Sequence, residues 1–490
     1  MSEYKHGAYG LQDTQNAKSA VQSQGAMIYI GTAPVHTVKG GAANVNRPIA
    51  VRNIAEAKAY FGYSENWADY TLCEAMHVHL QMGGVGPLIL INVLDPAVHK
   101  AAEKGSLSAK TENGRIRILS AGDAILDSVT VDGKEKDTDY AISYDPAKEI
   151  ITITEIITGA LGSDELSISW DRVDPAAVEN AELIGSSDGM GLNTGLYAIK
   201  NVYQLTGYIP SMLAAPGWSS DPEVHEAMYN VSQRVNKHWH VYMRCDLPII
   251  HNETPITLLN AATWKKANGY NKENETVYFP MAKGTDGRIY HLSTLAGGNL
   301  HGLLNQQGGI PYTTPSNTAC PIIQSLYLGE DSEGRVYDDA LINEQLNQHG
   351  IASAAYTGGR WAIWGAHSAD YTPDEKNDVN VAETNRMMLY FVLNRFQEDS
   401  VQYVDKPMPI NTLRSIEARW QKWLDDLVAT GMLSYGKCML NAALISRSDI
   451  ASGDFTFSFN ISTTPLAKSL TVYAALTNDG LEFYINEMAG

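Results

Sequence analysis

The chain has 490 residues, 44% of them hydrophobic and 9% aromatic, so it is long enough for about two to four globular domains. Its formal net charge of −19 argues against direct binding to nucleic acid, because contacts to phosphate need a basic surface. The longest apolar run, residues 85–94, is too short to span a bilayer, and the polar residues 1–20 contain no signal peptide, so membrane insertion is not predicted.

The first 99 residues begin with a polar arm and continue as an α/β unit. Residues 1–25 have no sustained hydrophobic period and are predicted to form an extended arm. A strand is predicted at residues 27–30, a helix from Ser64 to Met82, and a buried strand at residues 87–93, where apolar residues are continuous. The order strand, helix, strand predicts part of an α/β domain.

Residues 100–190 are β-rich and contain no clear helix. Short strand-like segments recur at roughly ten-residue spacing, which indicates a small sandwich or barrel. These segments are residues 115–119, 128–131, 140–144, 150–156 and 166–170. The Asp132-Gly133 pair predicts a hairpin turn after the second of them. Because α/β texture returns near residue 195, we predict an all-β domain inserted into an α/β body.

The end of the chain is predicted to contain one long helix and three strands. The helix should begin near Asn411 and end at Gly431. Its apolar residues recur at three- and four-residue steps: Leu413, Ile416, Trp420, Trp423, Leu424 and Leu427. The strands are predicted at residues 455–461, 470–476 and 481–485. A terminal strand needs the edge of a sheet in its own chain or in another, so the pattern favours self-assembly.

Motifs for nucleotide and cofactor binding are incomplete. Residues 431–438 resemble a P-loop, but they end in Cys438 where Mg²⁺ needs a hydroxyl, and they follow a helix instead of a strand. The glycines of residues 189–195 do not have the spacing of a dinucleotide-binding loop. The four cysteines are far apart, which fits neither a disulfide framework nor a zinc knuckle and predicts reduced, buried thiols. They are Cys73, Cys245, Cys320 and Cys438.

Hydrolase and metal signals are also weak. No Gly-x-Ser-x-Gly nucleophile motif occurs in the chain. His238 and His240 are placed on one face of a predicted strand, but no third metal ligand is spaced to join them. Five other polar residues are too scattered to predict a catalytic triad: Asp246, His291, His301, His367 and Asp370. We therefore predict no catalytic, cofactor-binding or metal site.

A series of short motifs, in order over some 400 residues, resembles the contractile phage tail sheath proteins. The motifs are residues 4–9, 30–34, 46–48, 55–57, 61–63, 86–96, 210–219, 245–248, 315–317, 364–366 and 385–388. Their order and spacing carry the resemblance. One departure is His367-Ser368, which stands where the family has Arg-Thr.

The resemblance implies an α/β multidomain fold. Its inner α/β domain would combine residues 26–99 with residues 376–468, and a subtilisin-like domain without a working triad would cover residues 191–375. The β-rich insertion at residues 100–190 would face outwards. Two extended arms, residues 1–25 and 469–490, would flank these domains.

The resemblance also implies a structural protein, not an enzyme. Copies would polymerise as stacked six-membered rings around a tail tube, and contraction would drive the tube through the target cell envelope. The expected partners are other copies of the chain and the tail tube, baseplate and tail terminator proteins, in a virion tail assembled in the bacterial cytoplasm. The arms would pair with strands of neighbouring subunits through Tyr4, Gly7, Tyr9, Leu470, Val472, Tyr473, Leu476, Phe483 and Ile485.

Two other functions remain open at this point. One is a hydrolase of α/β type, given the predicted middle domain. The other is a β-rich adhesin or surface-layer protein, given the inserted strands. A phage, a tailocin and another contractile injection system are not distinguished by the sequence.

Overall fold

The computed structural model describes residues 25–332, 334–373 and 381–489. They divide into two compact units with the boundary between Pro407 and Met408. The strands are β1 Gly25–Gly31, β2 Ile49–Val51, β3 Leu88–Asn92, β4 Gly105–Ala109, β5 Arg115–Ile118, β6 Thr130–Val131, β7 Tyr140–Asp145, β8 Ile150–Glu155, β9 Leu166–Trp170, β10 Ile209–Ala214, β11 Tyr242–Asp246, β12 Ile250–His251, β13 Thr254–Pro255, β14 Glu275–Tyr278, β15 Met281–Gly284, β16 Ile289–Tyr290, β17 Ile323–Tyr327, β18 Ile351–Thr357, β19 Arg360–Trp364, β20 Leu433–Leu440 and β21 Phe457–Thr463. The α-helices are α1 Ile54–Phe61, α2 Leu72–Ala75, α3 Asn180–Ile184, α4 Val202–Thr206, α5 Pro222–Ser232, α6 Leu258–Ala267, α7 Leu292–Gln306, α8 Asp339–Gln345, α9 Glu383–Ser400, α10 Ile410–Ala429, α11 Arg447–Ser452 and α12 Asp479–Ala489.

The first unit is built on an eight-stranded sheet of order β19-β18-β14-β11-β10-β1-β3-β2. Six central strands are parallel, and β19 and β2 are antiparallel edge strands. Helices cover both faces of the central strands, so nearly all residues of these strands are buried. Arg244 and Cys245, adjacent on β11, illustrate this: Arg244 contacts Glu383 of α9, and Cys245 lies beside His225 of α5.

The helix predicted from Ser64 to Met82 is shorter than expected. It begins at Leu72 and continues from Met76 to Met82 as a π-helix. Before it, the Ser64 hydroxyl accepts a hydrogen bond from Asn66 N, and the Asn66 side chain bonds to Asp69. Such local side-chain bonds compete with helix formation, so this segment forms turns.

The predicted division into an inner and a middle domain differs from the observed sheet. Met27 of β1 is paired with Leu88 of β3 on one side and with Met212 of β10 on the other. Residues 26–99 therefore complete the sheet that also contains β11, β14 and β18, and they do not form a separate domain with the chain end. Helix α9 likewise lies in the first unit. Hydrophobic patterning identified these strands as buried but not which strands they pair with.

Within the predicted β-rich insertion, residues 105–170 form two three-stranded sheets, β4-β9-β6 and β5-β8-β7. Their core is separate from that of the large sheet and includes Ile116, Val129, Tyr140, Ile153 and Ile168. The rest of the predicted range differs, because α3 lies at Asn180–Ile184 and Leu183 belongs to the core of the large sheet. The predicted hairpin is wrong, because β6 pairs with β9 and not with the next strand. The chain enters and leaves side by side, since Ala101 N donates to Arg172 O at 2.9 Å.

The second unit contains α10, β20, α11, β21 and α12. The long helix predicted from Asn411 is α10, and its predicted apolar face is buried except for Trp423, which is half-buried. The Trp420 ring packs edge-on against Trp423 and Phe459, with centroids 5.2 and 5.8 Å away. Helix α10 packs with the antiparallel pair β20–β21. Of the three predicted strands, only residues 455–461 correspond to a strand, β21, and its partner β20 was not predicted.

Candidate functional site

The sheet of the second unit has one edge that α10 already covers. In β20, Cys438 N donates to Gln421 Oε1 at 2.9 Å, and Leu440 N donates to Glu417 Oε1 at 3.1 Å. Gln421 Nε2 also donates to Gly436 O at 3.1 Å. These side chains of α10 bond the backbone groups of β20 that point away from β21. The other edge of this two-stranded sheet belongs to β21.

An exposed apolar segment follows β21. Residues 464–478 form no regular secondary structure. Four of the residues predicted to pair between subunits lie here and are 86–106% exposed: Leu470, Val472, Tyr473 and Leu476. Exposed apolar side chains concentrated in this way are typical of a surface that contacts another molecule. The structure thus places these four residues where another chain can reach them.

The last predicted strand, residues 481–485, is wrong. These residues lie in helix α12, so Phe483 and Ile485 are helical. A strand gains its backbone hydrogen bonds only from a partner, whereas a helix forms its own, and so the helix forms in the single chain. Leu481, Tyr484, Ile485 and Met488 of this helix are exposed. Tyr4, Gly7 and Tyr9, predicted for the N-terminal arm, lie outside the described residues.

Buried polar groups meet at the carboxyl end of β11, which is where an enzyme with a parallel sheet would place its chemistry. Asp246 accepts hydrogen bonds from Ser293 N at 3.0 Å and from the Ser293 hydroxyl. Nearby, His291 Nδ1 lies 2.6 Å from Glu74 Oε2, and His291 N donates to Glu74 Oε1 at 2.7 Å. Two of the residues judged too scattered for a site, Asp246 and His291, are thus brought together, but Glu74 and Ser293 were not predicted.

The pKa of His291 indicates that this histidine forms an ion pair with Glu74. Burial by itself lowers the pKa of His291, but the Glu74 carboxylate outweighs it and raises that pKa to about 9. Burial raises the pKa of Asp246, and His291 and Ser293 oppose the change. Among the described residues, no hydrogen bond joins Ser293 to His291. The serine therefore lacks the histidine base that a hydrolytic triad uses.

At the point where a sheet of this type binds ligands, three side chains of the protein are joined by hydrogen bonds. Strand order reverses between β1 and β10, and ligands bind outside the carboxyl ends at such a point. Here Thr32 N and Trp218 Nε1 each donate to Thr71 Oγ1 at 3.2 Å. Thr71 N in turn donates to Thr32 Oγ1 at 3.1 Å. The side chains stabilise one another where an enzyme would hold its substrate.

The histidine pair considered for metal binding does not form a site. Strand β11 begins only at Tyr242, so His238 and His240 do not share its face. His238 is exposed, while the His240 ring stacks on Tyr390 with centroids 4.9 Å apart. His301 lies in another pair, with its Nδ1 3.1 Å from Nδ1 of His79.

His367 and Asp370 also lie in separate contacts. The His367 ring stacks on Tyr371 at 3.7 Å, and Asp370 accepts a hydrogen bond from the Ser368 hydroxyl at 2.6 Å. These are local contacts within one loop. They supply neither a nucleophile with a base nor a set of metal ligands.

Another cluster lies inside the large sheet and was not predicted from the sequence. His225, Cys245 and Glu275 come from α5, β11 and β14, and their ligand atoms lie within 4.8 Å of one another. The residues are separated by 20 and 30 positions in the sequence, a spacing that belongs to no short metal motif. Only the pairing of β11 with β14 brings two of them together.

Among the helices of the described part of the chain, none is long and apolar enough to cross a bilayer. No family model matches the sequence. A tail sheath protein of Burkholderia phage BcepMu is 25% identical over 507 aligned positions, which cover 98% of each chain.

Solved structures of contractile systems have the same fold. A chain of the anti-feeding prophage baseplate aligns with a TM-score of 0.56 at 13% identity, covering 97% of this chain and 100% of that chain. The sheath complex of an extracellular contractile injection system, PVC, in its contracted state aligns at 0.53 and 11% identity, covering 98% and 100%. The contracted helical sheath of the anti-feeding prophage aligns at 0.52 and 13% identity, also covering 98% and 100%.

These comparisons confirm the mixed α/β fold and the resemblance to contractile tail sheath proteins. The named relatives are a tail sheath protein and chains of contractile sheaths and a baseplate, which agrees with the predicted structural role. The subtilisin-like character of residues 191–375 stays a prediction.

Proposed function

We propose that the chain, as a relative of tail sheath proteins over its whole length, is the sheath subunit of a contractile tail or injection system. Copies stack as six-membered rings around a tube, and contraction of the sheath drives the tube through a target envelope. The observation that carries the proposal is the similarity to the phage BcepMu sheath protein over 98% of both chains. The baseplate, the tail tube protein and the tail terminator are the other partners, in a tail assembled in the bacterial cytoplasm.

Assembly is proposed to occur by strand addition at the second unit. The α10 side chains cover the β20 edge, so a strand from a neighbouring copy adds beside β21. Residues 470–476 of a neighbour supply that strand. Their large apolar side chains are exposed, and the first three residues, Leu470-Thr471-Val472, alternate between apolar and polar. Residues Tyr4, Gly7 and Tyr9 of the N-terminal arm are proposed to make a second link between subunits.

The free energy of the proposed strand addition comes from burial of apolar side chains and from backbone hydrogen bonds. Full burial of a large apolar side chain contributes about 1.5–3 kcal/mol, so Leu470, Val472 and Leu476, which share one face of the proposed strand, contribute roughly 4.5–9 kcal/mol before ordering costs. Each backbone hydrogen bond adds about 0.5–1.5 kcal/mol. A single contact of this size is modest, but a lattice in which every subunit is linked to several others is held firmly.

Contraction needs no nucleotide in this proposal. Units that keep their own cores rotate as rigid bodies, and the contracted lattice is favoured because it buries more or better-matched surface per subunit. The large sheet suits a rigid body, since a buried ion pair between Arg244 and Glu383 ties α9 to its centre.

The experiment is to express the full chain and image it by negative-stain electron microscopy. Val472→Pro removes one backbone donor from the proposed strand, whereas Val472→Thr keeps that donor and is the matched control. We expect hollow tubes from the wild type and Val472→Thr, and folded monomers with unchanged circular dichroism from Val472→Pro. If Val472→Pro still forms tubes, strand addition by this segment is not the linkage.

A further inference from the structure

The most unusual chemical group in the interior is the cluster of His225, Cys245 and Glu275. Cys245 and Glu275 are fully buried, and His225 is 1% exposed. The register of β11 with β14 pairs Met243 with Glu275 and Cys245 with Val277, so Cys245 and Glu275 lie on the same face of the sheet. Helix α5 covers this face and supplies the histidine.

Hydrogen bonds and ring stacking hold two of the three side chains, His225 and Glu275, in place. Glu275 Oε2 lies 2.5 Å from His225 Nε2, and Glu275 Oε1 accepts a hydrogen bond from Lys272 N at 2.8 Å. The His225 ring stacks on Tyr270 with centroids 3.8 Å apart, and the Tyr270 hydroxyl donates to Ser219 O at 3.0 Å. Groups around a metal site orient its ligands in this manner.

The histidine also has a ring nitrogen that the protein does not use. His225 Nδ1 is buried and has no hydrogen-bond partner among the described residues. Nδ1 can therefore carry the proton of the neutral imidazole and leave Nε2, which faces Glu275, free to bind an ion. An imidazole beside a thiol and a carboxylate is a donor set that zinc and cobalt accept.

We propose that His225, Cys245 and Glu275 bind one divalent ion of the zinc type. The ligands are His225 Nε2, the Cys245 sulfur and a Glu275 carboxylate oxygen. The ion replaces the hydrogen bond between His225 Nε2 and Glu275 Oε2, and the proton of the neutral imidazole moves to Nδ1. On binding, the thiol releases its proton to solvent, and the thiolate and carboxylate together balance the two positive charges of the ion. The site is then neutral overall, which suits a low-dielectric interior. The ion would tie α5 to two adjacent strands of the large sheet.

The test uses the full chain. It is unfolded and refolded with Zn²⁺ or Co²⁺, freed of loose metal, and checked for its fold by circular dichroism. Bound zinc is measured by elemental analysis, and cobalt by its near-ultraviolet thiolate-to-metal band. We expect about one ion per chain and a charge-transfer band, as three protein ligands including a cysteine give.

Substitutions test whether Cys245 and Glu275 bind the ion. Cys245→Ser should remove the cobalt band, and Glu275→Gln should weaken metal affinity at least about 10-fold in competition with a chelator. Cys73→Ser changes another fully buried thiol outside the cluster and should leave both signals unchanged. If Cys245→Ser fails to fold, the metal affinity of Glu275→Gln relative to that of the wild type tests the site. Wild-type protein without bound metal, or metal retained by Cys245→Ser and Glu275→Gln, overturns the proposal.

Discussion

Replacement of Arg244 tests whether the large sheet is held to α9 by a buried ion pair. Arg244 is 2% exposed and Glu383 is fully buried, with Arg244 Nη2 and Glu383 Oε2 3.0 Å apart. Thr276 Oγ1 donates to the same Glu383 oxygen at 2.9 Å, and the Tyr278 hydroxyl contacts the Arg244 guanidinium. Arg244→Met removes the positive charge while keeping most of the side-chain volume. It leaves the Glu383 carboxylate buried without its ionic partner.

The expected cost follows from that uncompensated charge. Breaking a buried ion pair by removing one partner destabilises a protein by about 3–5 kcal/mol. Replacing both partners, as in Arg244→Met with Glu383→Leu, should cost clearly less than the sum of the single changes, because no buried charge remains. Lys422→Ala is the control, because Lys422 and Asp426 form an exposed pair worth at most about 1 kcal/mol.

The assay is urea unfolding followed by circular dichroism and tryptophan fluorescence. With a slope of about 3 kcal/mol per molar urea, a loss of 3 kcal/mol lowers the midpoint by about 1 M. A midpoint for Arg244→Met within about 0.3 M of wild type would refute the reasoning. Additive losses in the double variant would refute it too, since they would mean that the two side chains act independently.

Two further predictions concern the insertion and pH. Replacing residues 102–171 with a short Gly/Ser linker should still allow assembly, because the insertion has its own core. Its two ends also lie side by side, where Ala101 N donates to Arg172 O at 2.9 Å. If electron micrographs show a folded but monomeric product, the insertion takes part in the lattice. Burial lowers the pKa of His36 to about 4, so protonation of the unfolded chain should reduce stability as pH falls from about 6.5 towards 4. His36→Gln should remove a part of that loss on the order of 2–3 kcal/mol, seen in urea midpoints at pH 7 and pH 4.5, and an unchanged pH dependence would contradict the assignment.

Local features of this fold were predictable from the sequence. Helix α10 follows from the spacing of Leu413, Trp420 and Leu424, because a helix buries one stripe whatever it packs against. Strand β3 follows from its unbroken apolar run, which only a doubly covered strand needs. The strands of the insertion follow from alternation in the same way.

Features that depend on partners were not predictable. The pairing of Met27 with both Leu88 and Met212 is decided by packing over long sequence separations, which a local pattern does not encode. Residues 481–485 alternate like a strand but form a helix where no neighbouring sheet edge is present. His225, Cys245 and Glu275 meet only after α5 docks on the sheet, so no sequence spacing indicated their cluster.

Electron microscopy of the purified full chain tests the central claim most directly. We expect long hollow tubes whose end-on views show six-fold symmetry, formed without nucleotide and without other proteins. Discrete monomers at all concentrations that keep the chain folded, or closed assemblies without six-fold symmetry, would contradict it.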